Sequence, residues 1–247
     1  MIIVANWKAY VEHFEHAQKL FAVSKKLIRD SSCTIVLAPP TPFLGALALT
    51  NKTDIAFSAQ DVSASVGGSE TGEVTAPMIA TVGATYVIVG HSERRARGDT
   101  NAQIAEKIER VLSHSLTPIL CVGERERDSE GRYLAYIREE LTTALAPLDP
   151  KERSKVIVAY EPLWAIGKTA EHAVQRDDLF EMILYLRKVL GDFLPAKTAS
   201  RARILYGGAV EADNIRDLST SGGVDGFLVG HASSQVESFA LLVKNLS

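Results

Sequence analysis

The chain has 247 residues, of which 27 are basic and 30 acidic, so its formal net charge is −3. Hydrophobic residues make up 46% and charged residues 23%, a composition typical of folded globular proteins and not of disordered ones. The slight acidity and the lack of a basic stripe argue against nucleic acid as a partner.

Neither a membrane span nor a secretory signal is predicted. The longest stretches without Asp, Glu, Lys or Arg are Thr34–Asn51 and Val74–Ser92, and proline and hydroxyl side chains interrupt both. The chain begins MIIVANWK, with no basic residue before its short apolar run. The two cysteines, Cys33 and Cys121, have neither CxxC nor metal-ligand spacing. We therefore expect a cytoplasmic protein without a membrane partner.

Eight short apolar runs, each followed by a polar loop and an amphipathic stretch, predict eight βα units. Most of the runs are continuously apolar, which is typical of parallel strands covered on both faces. The predicted strands are Ile2–Ala5, Thr34–Ala38, Asp54–Ala59, Tyr86–Val89, Pro118–Val122, Val156–Tyr160, Arg203–Tyr206 and Gly226–Val229.

Between the strands, apolar residues at helical spacing predict helices that each bury one face. Three helices have the clearest faces. Their apolar residues are Phe14, Ala17, Phe21 and Ile28 in the first, Ile104, Ile108 and Val111 in the second, and Leu179, Met182, Ile183, Leu186 and Leu190 in the third. Asp99 or Thr100 is expected to cap the second helix.

Eight βα units can close into a barrel or remain an open, doubly wound sheet. The open sheet predicts a glycine-rich turn after the first strand, whereas this chain has Asn6, Trp7 and Lys8 there. We therefore predict a single-domain α/β protein, a closed (β/α)8 barrel over residues 1–247. The active site of such a barrel lies at the carboxyl ends of its strands.

Asn6 and Lys8 follow the first predicted strand, and each has an ordinary structural alternative. Most lysines are solvated charges, but Lys8 comes one residue after a tryptophan expected to be buried, at the mouth of the barrel. This position favours a cation that faces substrate. Asn6 alone is weak evidence, because an asparagine often only satisfies a turn.

Glu161 directly follows the apolar run VIVAY and precedes Pro162. A structural carboxylate there would need an ion-pair partner, because burying an unpaired charge is costly. A general base explains the position better. His91 follows the fourth strand and precedes a helix start, whose amides disfavour imidazolium, so we expect it to be neutral; the alternative is an ordinary core histidine.

Glycine-containing turns follow the last two strands, with Gly207, Gly208 and Ala209 in one and Gly230 and His231 in the other. Either turn alone can be explained as an ordinary tight turn. Together they occupy the positions at which barrels commonly bind phosphate through backbone N–H groups. No cluster of carboxylates and histidines has metal-ligand spacing, so we expect no metal.

Five segments of the chain together resemble the triosephosphate isomerase family, whose fold is the TIM (β/α)8 barrel. They follow the family's order from the first strand to the last, so the resemblance covers essentially the whole chain. The stretches GHSERR and YEPLWAIG are highly specific. The segments are residues 6–8, 90–95, 121–124, 160–167 and 206–208.

The resemblance implies interconversion of dihydroxyacetone phosphate and D-glyceraldehyde 3-phosphate, without a cofactor or a metal. The resemblance implies that Glu161 shuttles a proton between two substrate carbons. It also implies that neutral His91 polarises the carbonyl group and moves protons between the oxygens. Lys8 stabilises negative charge, Asn6 helps to hold the substrate oxygens, and Glu93 positions Lys8. The pairing of a glutamate base with a neutral histidine is the family's own known pattern.

The resemblance also implies a lid after Glu161 and phosphate contacts from Gly167, Ala209, Gly230 and His231. Three features depart from the family's pattern there. The lid is shorter than usual, because Lys168 follows Gly167 directly; Ala209 stands in place of a serine; and His231 stands in place of a glycine. We expect isomerase chemistry with weaker substrate binding than is usual. The alternative for His231 is a side-chain contact to phosphate.

The long loop Val62–Thr75 resembles the family's dimer-forming loop, so we expect a homodimer; the alternative is a flexible surface insertion. Two other functions remain open for the chain. One is a different phosphosugar barrel, such as a pentose-phosphate epimerase, although its metal-binding histidines and paired aspartates are absent from these strand ends. The other is a non-catalytic phosphate-binding homologue, which would not need both Glu161 and His91.

Overall fold

A computed structural model describes residues 1–165, 174–221 and 223–246. Eight parallel strands close into a barrel in chain order, with β1 hydrogen-bonded to both β2 and β8. The prediction of a closed α/β barrel is confirmed. The strands are β1 Ile2–Asn6, β2 Thr34–Ala38, β3 Ala56–Ala59, β4 Tyr86–Val89, β5 Thr117–Val122, β6 Ile157–Tyr160, β7 Ile204–Tyr206 and β8 Gly226–Val229.

The third strand begins later than the sequence predicts. Asp54 and Ile55 precede β3, because the side-chain amide of Asn51 donates to the carbonyl oxygens of Thr53 at 3.1 Å and Ile55 at 2.7 Å. These hydrogen bonds hold the segment in a turn, so the prediction of a strand from Asp54 is wrong at its start.

Helices surround the barrel and lie between successive strands. In the described ranges they are α1 Phe14–Asp30, α2 Thr41–Ala48, α3 Ala76–Thr81, α4 Ser92–Arg95, α5 Asn101–Ser113, α6 Arg132–Leu145, α7 Pro150–Arg153, α8 Arg176–Leu190, α9 Ala196–Ala199, α10 Ile215–Ser221 and α11 Val236–Leu246. In that same part of the chain, no helix combines the length and the apolarity that crossing a membrane requires.

The predicted helix faces are buried in α5 and α8. In α1, Ala17 and Phe21 are buried, but Phe14 is exposed and Ile28 only partly buried. Phe14 is the first residue of α1, and its ring packs against that of Phe43 instead of the barrel. Thr100 forms a capping box with Gln103, so the cap of α5 is Thr100 and not Asp99.

The core has two layers. Side chains such as Val4, Ile119 and Leu205 fill the barrel, whereas others such as Trp7 and Ile35 pack between the strands and the helices. At the seam between β8 and β1, a Cβ on Gly226 would lie 2.0 Å from the carbonyl oxygen of Ile2. Glycine therefore allows the two strands to approach and close the barrel.

Candidate active site

A cavity of about 140 Å³ opens at the carboxyl ends of the strands. The sequence predicts substrate-facing groups on five of these ends, and all but one lie in this cavity. Those in the cavity are Asn6, Lys8, His91, Glu161, Ala209, Gly230 and His231. The exception is Gly167, which lies outside the described residues.

Glu161 is only 2% exposed, and two glycines border it closely. Its backbone N–H donates to the carbonyl oxygen of Val122 at 2.8 Å, which continues the pairing of β6 with β5. A Cβ on Gly123 would lie 1.9 Å from the carbonyl oxygen of Glu161, and one on Gly207 would lie 2.9 Å from its Cγ. The strand ends can therefore enclose this carboxylate only because both positions lack a side chain.

The carboxylate of Glu161 faces His91 across the barrel mouth. Its Oε1 lies 3.2 Å from His91 Nε2, and its Oε2 accepts a hydrogen bond from the backbone N–H of Ser92 at 3.2 Å. Within residues 1–165, 174–221 and 223–246, no lysine or arginine forms an ion pair with Glu161. The buried carboxylate is therefore not held as a structural ion pair there, which leaves it free to act as a base.

His91 is 6% exposed, and its hydrogen bonds assign its charge. Nδ1 accepts from the backbone N–H of Glu93 at 3.2 Å. A ring nitrogen that accepts a hydrogen bond carries no proton, so the single ring proton lies on Nε2, the nitrogen that is 3.2 Å from Glu161 Oε1. This assignment, inferred from the hydrogen bonds, makes His91 a neutral donor at the cavity wall.

Lys8 is held from two sides. Its Nζ lies 2.7 Å from Glu93 Oε1, and although partial burial alone would raise the pKa of Glu93, the hydrogen bond and charge of Lys8 lower that pKa below its ordinary value. Lys8 has a φ of 48°, which is unfavourable for a residue with a side chain. Its N–H donates to Asn6 Oδ1 at 3.1 Å, and Gln60 Nε2 donates to its carbonyl oxygen at 3.1 Å. Asn6 thus both satisfies this turn and lines the cavity.

Glu124 has a positioning role that the sequence analysis missed. Its buried Oε1 accepts from Arg127 Nε at 3.0 Å, Tyr160 Oη at 2.8 Å and Trp164 Nε1 at 2.8 Å. Its backbone carbonyl oxygen accepts from the N–H of Leu163 at 2.9 Å. One carboxylate thereby fixes the chain just after Glu161. The signal was present, because Glu124 also follows a buried strand and a carboxylate there needs partners.

The ends of β7 and β8 present mainly backbone to the cavity. A Cβ on Gly208 would lie 2.2 Å from Tyr206 Oη, so this position also needs glycine. His231 begins a 3₁₀ turn that spans His231–Ser234. Among the further side chains that line this part of the cavity, two are polar and were not predicted: Tyr10, two residues after Lys8, and Glu211, two after Ala209.

Groups of three or more His, Cys, Asp and Glu side chains that could hold a metal ion are absent from the described part of the chain. The proposed chemistry is carried by a carboxylate, an imidazole, an ammonium group and backbone amides.

The family model for triosephosphate isomerase matches residues 1–246. The chain is 40% identical to the triosephosphate isomerase of Thermus thermophilus over 247 residues, which cover 99% of this chain and 98% of the relative. It is 38% identical to the triosephosphate isomerase of Roseiflexus castenholzii over 250 residues, which cover 100% of this chain and 97% of the relative. It is 37% identical to the triosephosphate isomerase of Mycobacterium avium over 249 residues, which cover 98% of this chain and 94% of the relative.

Proposed function

The chain belongs to the triosephosphate isomerase family, and we propose that Glu161 and His91 carry the family's reaction in it. It is an isomerase that interconverts dihydroxyacetone phosphate and D-glyceraldehyde 3-phosphate, an intramolecular oxidoreduction. The observation that carries the assignment of residues is the 3.2 Å contact between the Glu161 carboxylate and His91 Nε2. At this separation, both side chains can contact the same small molecule.

Glu161 removes a proton from the carbon beside the substrate carbonyl group, and the C–H electron pair forms the C=C bond of an enediolate. The carbonyl π electrons move to the oxygen, which accepts a hydrogen bond from Nε2–H of His91. Glu161 then returns the proton to the neighbouring carbon, while His91 moves a proton between the two oxygens. Lys8 stabilises the negative charge and Asn6 holds an oxygen.

The substrate phosphate binds to backbone N–H groups of Ala209, Gly230 and His231, with a further N–H from Gly167. An enediolate can eliminate its phosphate, so the site must exclude water while the proton moves. Because Ala209 lacks a hydroxyl and the segment after Gly167 is short, we expect a higher KM than that of the Thermus thermophilus relative. Side-by-side kinetics test this, and equal KM values would show that these changes are harmless.

The homodimer through Val62–Thr75 is a further proposal. The base of this loop is firmly held, because Asp61 contacts Lys107 Nζ at 2.9 Å and Arg94 Nε at 2.8 Å. At its outer part, Val66 is 77% exposed, as expected for an apolar residue that a partner covers. Light scattering should give a dimer, and a fully active monomer would contradict the proposal.

Residues 1–247 are proposed to act as one cytoplasmic domain. Cys33 and Cys121 support this location, because both are free and buried and neither forms a disulfide. Cell fractionation tests the location, and recovery of the active protein outside the cytoplasmic fraction would contradict it.

A coupled assay with D-glyceraldehyde 3-phosphate tests the assignment of the base. Glu161→Gln keeps the shape of the side chain but removes the base, so kcat should fall by about 10²- to 10⁴-fold. Glu181→Gln is the matched control, because Glu181 is exposed on α8. Turnover of a pentose phosphate alone would instead indicate an epimerase, and phosphate binding without any turnover would indicate a non-catalytic homologue.

A further inference from the structure

We infer that the imidazole side chain of His231 is a ligand of the substrate phosphate and works beside Lys8. The inference rests on the proposed function, because it needs the phosphate at the ends of β7 and β8. It goes beyond backbone binding at this turn, since it assigns a contact to a particular side chain.

His231 lies where a phosphate ligand is needed. It directly follows Gly230, and both residues line the cavity that also contains Lys8 and Glu161. A Cβ built on Gly230 would lie 3.7 Å from Lys8 Nζ, so the end of β8 runs beside the ammonium group. The imidazole and the ammonium group therefore border one small cavity, in which an anion can meet both.

Tyr10 orients the imidazole ring without using its nitrogen atoms. The two ring centroids are 5.3 Å apart and the rings are nearly perpendicular, at 86°. Such an edge-to-face contact favours one orientation of the ring without occupying its nitrogen atoms. Within the part of the chain that the structure describes, the side chain of His231 has no hydrogen-bond partner. Its nitrogens are therefore available to a ligand.

Two charged groups from neighbouring loops face this position, Lys8 after β1 and Glu211 after β7. Glu211 and His231 line the same cavity, and burial raises the pKa of Glu211 above its ordinary value. Glu211 would repel a phosphate if nothing stood between them. A phosphate at this end of the cavity therefore needs donors such as Lys8 Nζ and the His231 imidazole to offset that repulsion.

The test compares a phosphorylated substrate with one that lacks the phosphate. His231→Ala should raise KM for D-glyceraldehyde 3-phosphate about tenfold, the usual loss for a hydrogen bond to a charged group. It should raise the inhibition constant of inorganic phosphate similarly and leave kcat/KM for D-glyceraldehyde unchanged. His114→Ala is the matched control, because His114 is exposed after α5, at the opposite end of the barrel.

Three outcomes would overturn the inference. A lower KM in His231→Ala would mean that the imidazole crowds the phosphate. An equal loss with D-glyceraldehyde would mean that it only supports the fold. If the loss disappears when Glu211→Gln is added, His231 acts by separating charges and makes no contact of its own.

A failure of the proposed function would look different. In that case the unaltered protein would not turn over D-glyceraldehyde 3-phosphate, but calorimetry with inorganic phosphate would still compare it with His231→Ala. Weaker phosphate binding by the variant would support the inference even then, and equal binding would overturn it.

Discussion

The two sides of the cavity are built differently. The proposed proton-transfer side consists of Asn6, Lys8, His91 and Glu161, whose side chains contact one another, the backbone or Glu93. The proposed phosphate side consists of Gly208, Ala209, Gly230 and His231 at the ends of β7 and β8. A site made of interlocked side chains cannot change one member without disturbing the others, whereas a backbone site tolerates exchange of side chains. Two of the three departures from the family's usual residues, Ala209 and His231, fall on the phosphate side.

This difference has a kinetic consequence. A change on the proton-transfer side should slow the reaction of D-glyceraldehyde as much as that of its phosphate ester, because both need the same proton movement. A change on the phosphate side should affect only the phosphate ester. The effect of a substitution on the reaction of D-glyceraldehyde, divided by its effect on the reaction of the phosphate ester, therefore assigns a residue to one side.

After Glu161, the largest effect is expected at His91. His91→Ala removes the Nε2–H donor to the developing oxyanion, so kcat should fall by about 10²- to 10³-fold for both substrates. KM should change little, since the donor acts mainly in the transition state. Steady-state kinetics on both substrates measures this, and a loss confined to the phosphate ester would place His91 on the phosphate side instead.

A smaller and mixed effect is expected at Lys8, which belongs to the proton-transfer side but also borders Gly230 on the phosphate side. Lys8→Met should lower kcat/KM for the phosphate ester by about 10- to 100-fold, as is usual for a lost charge-assisted hydrogen bond, and should lower that for D-glyceraldehyde less. Equal losses for the two substrates would assign Lys8 to the proton-transfer side alone.

Lys8→Met should also change the titration of Glu93. The ammonium group holds the pKa of Glu93 below its ordinary value, so the variant should keep Glu93 protonated to a higher pH than the unaltered protein does. An NMR titration of the Glu93 carboxyl carbon measures this shift. An unchanged pKa would show that the 2.7 Å ion pair does not exist in solution.

The smallest effect is expected at Ala209. Ala209→Ser adds a hydroxyl next to the proposed phosphate position, and one added hydrogen bond is worth about 1 kcal/mol, or about a fivefold lower KM. Reactivity towards D-glyceraldehyde should stay the same. A KM that does not fall would mean that this side chain points away from the phosphate.

The sequence predicted the barrel correctly, and the polar residues that it singled out at the strand ends lie together in one cavity, for a physical reason. Strands covered on both faces must be continuously apolar, so a polar residue such as Glu161 or His91 at the end of such a run marks the mouth of the barrel. Glu124 gives the same signal, and its role was missed because it contacts other side chains and not the cavity.

The phosphate side was harder to predict, because backbone N–H groups have no signature in the residue types. Tyr10 contacts His231, and Glu211 lines the same cavity, only after three loops fold together. The predicted start of β3 was wrong for a local reason. The side chain of Asn51 holds a turn there, which the pattern of apolar residues does not reveal. The periodicity of apolar residues does not reveal contacts between loops. It also does not reveal hydrogen bonds from side chains to the backbone.

The most direct test of the account is a crystal structure with a three-carbon enediolate mimic that carries a phosphate group. We expect His91 Nε2 and a carboxylate oxygen of Glu161 each to lie within about 3.2 Å of the same ligand, which is hydrogen-bonding distance. The phosphate should lie at Ala209, Gly230 and His231. A ligand that contacts only one of the two proposed catalytic groups would contradict the account.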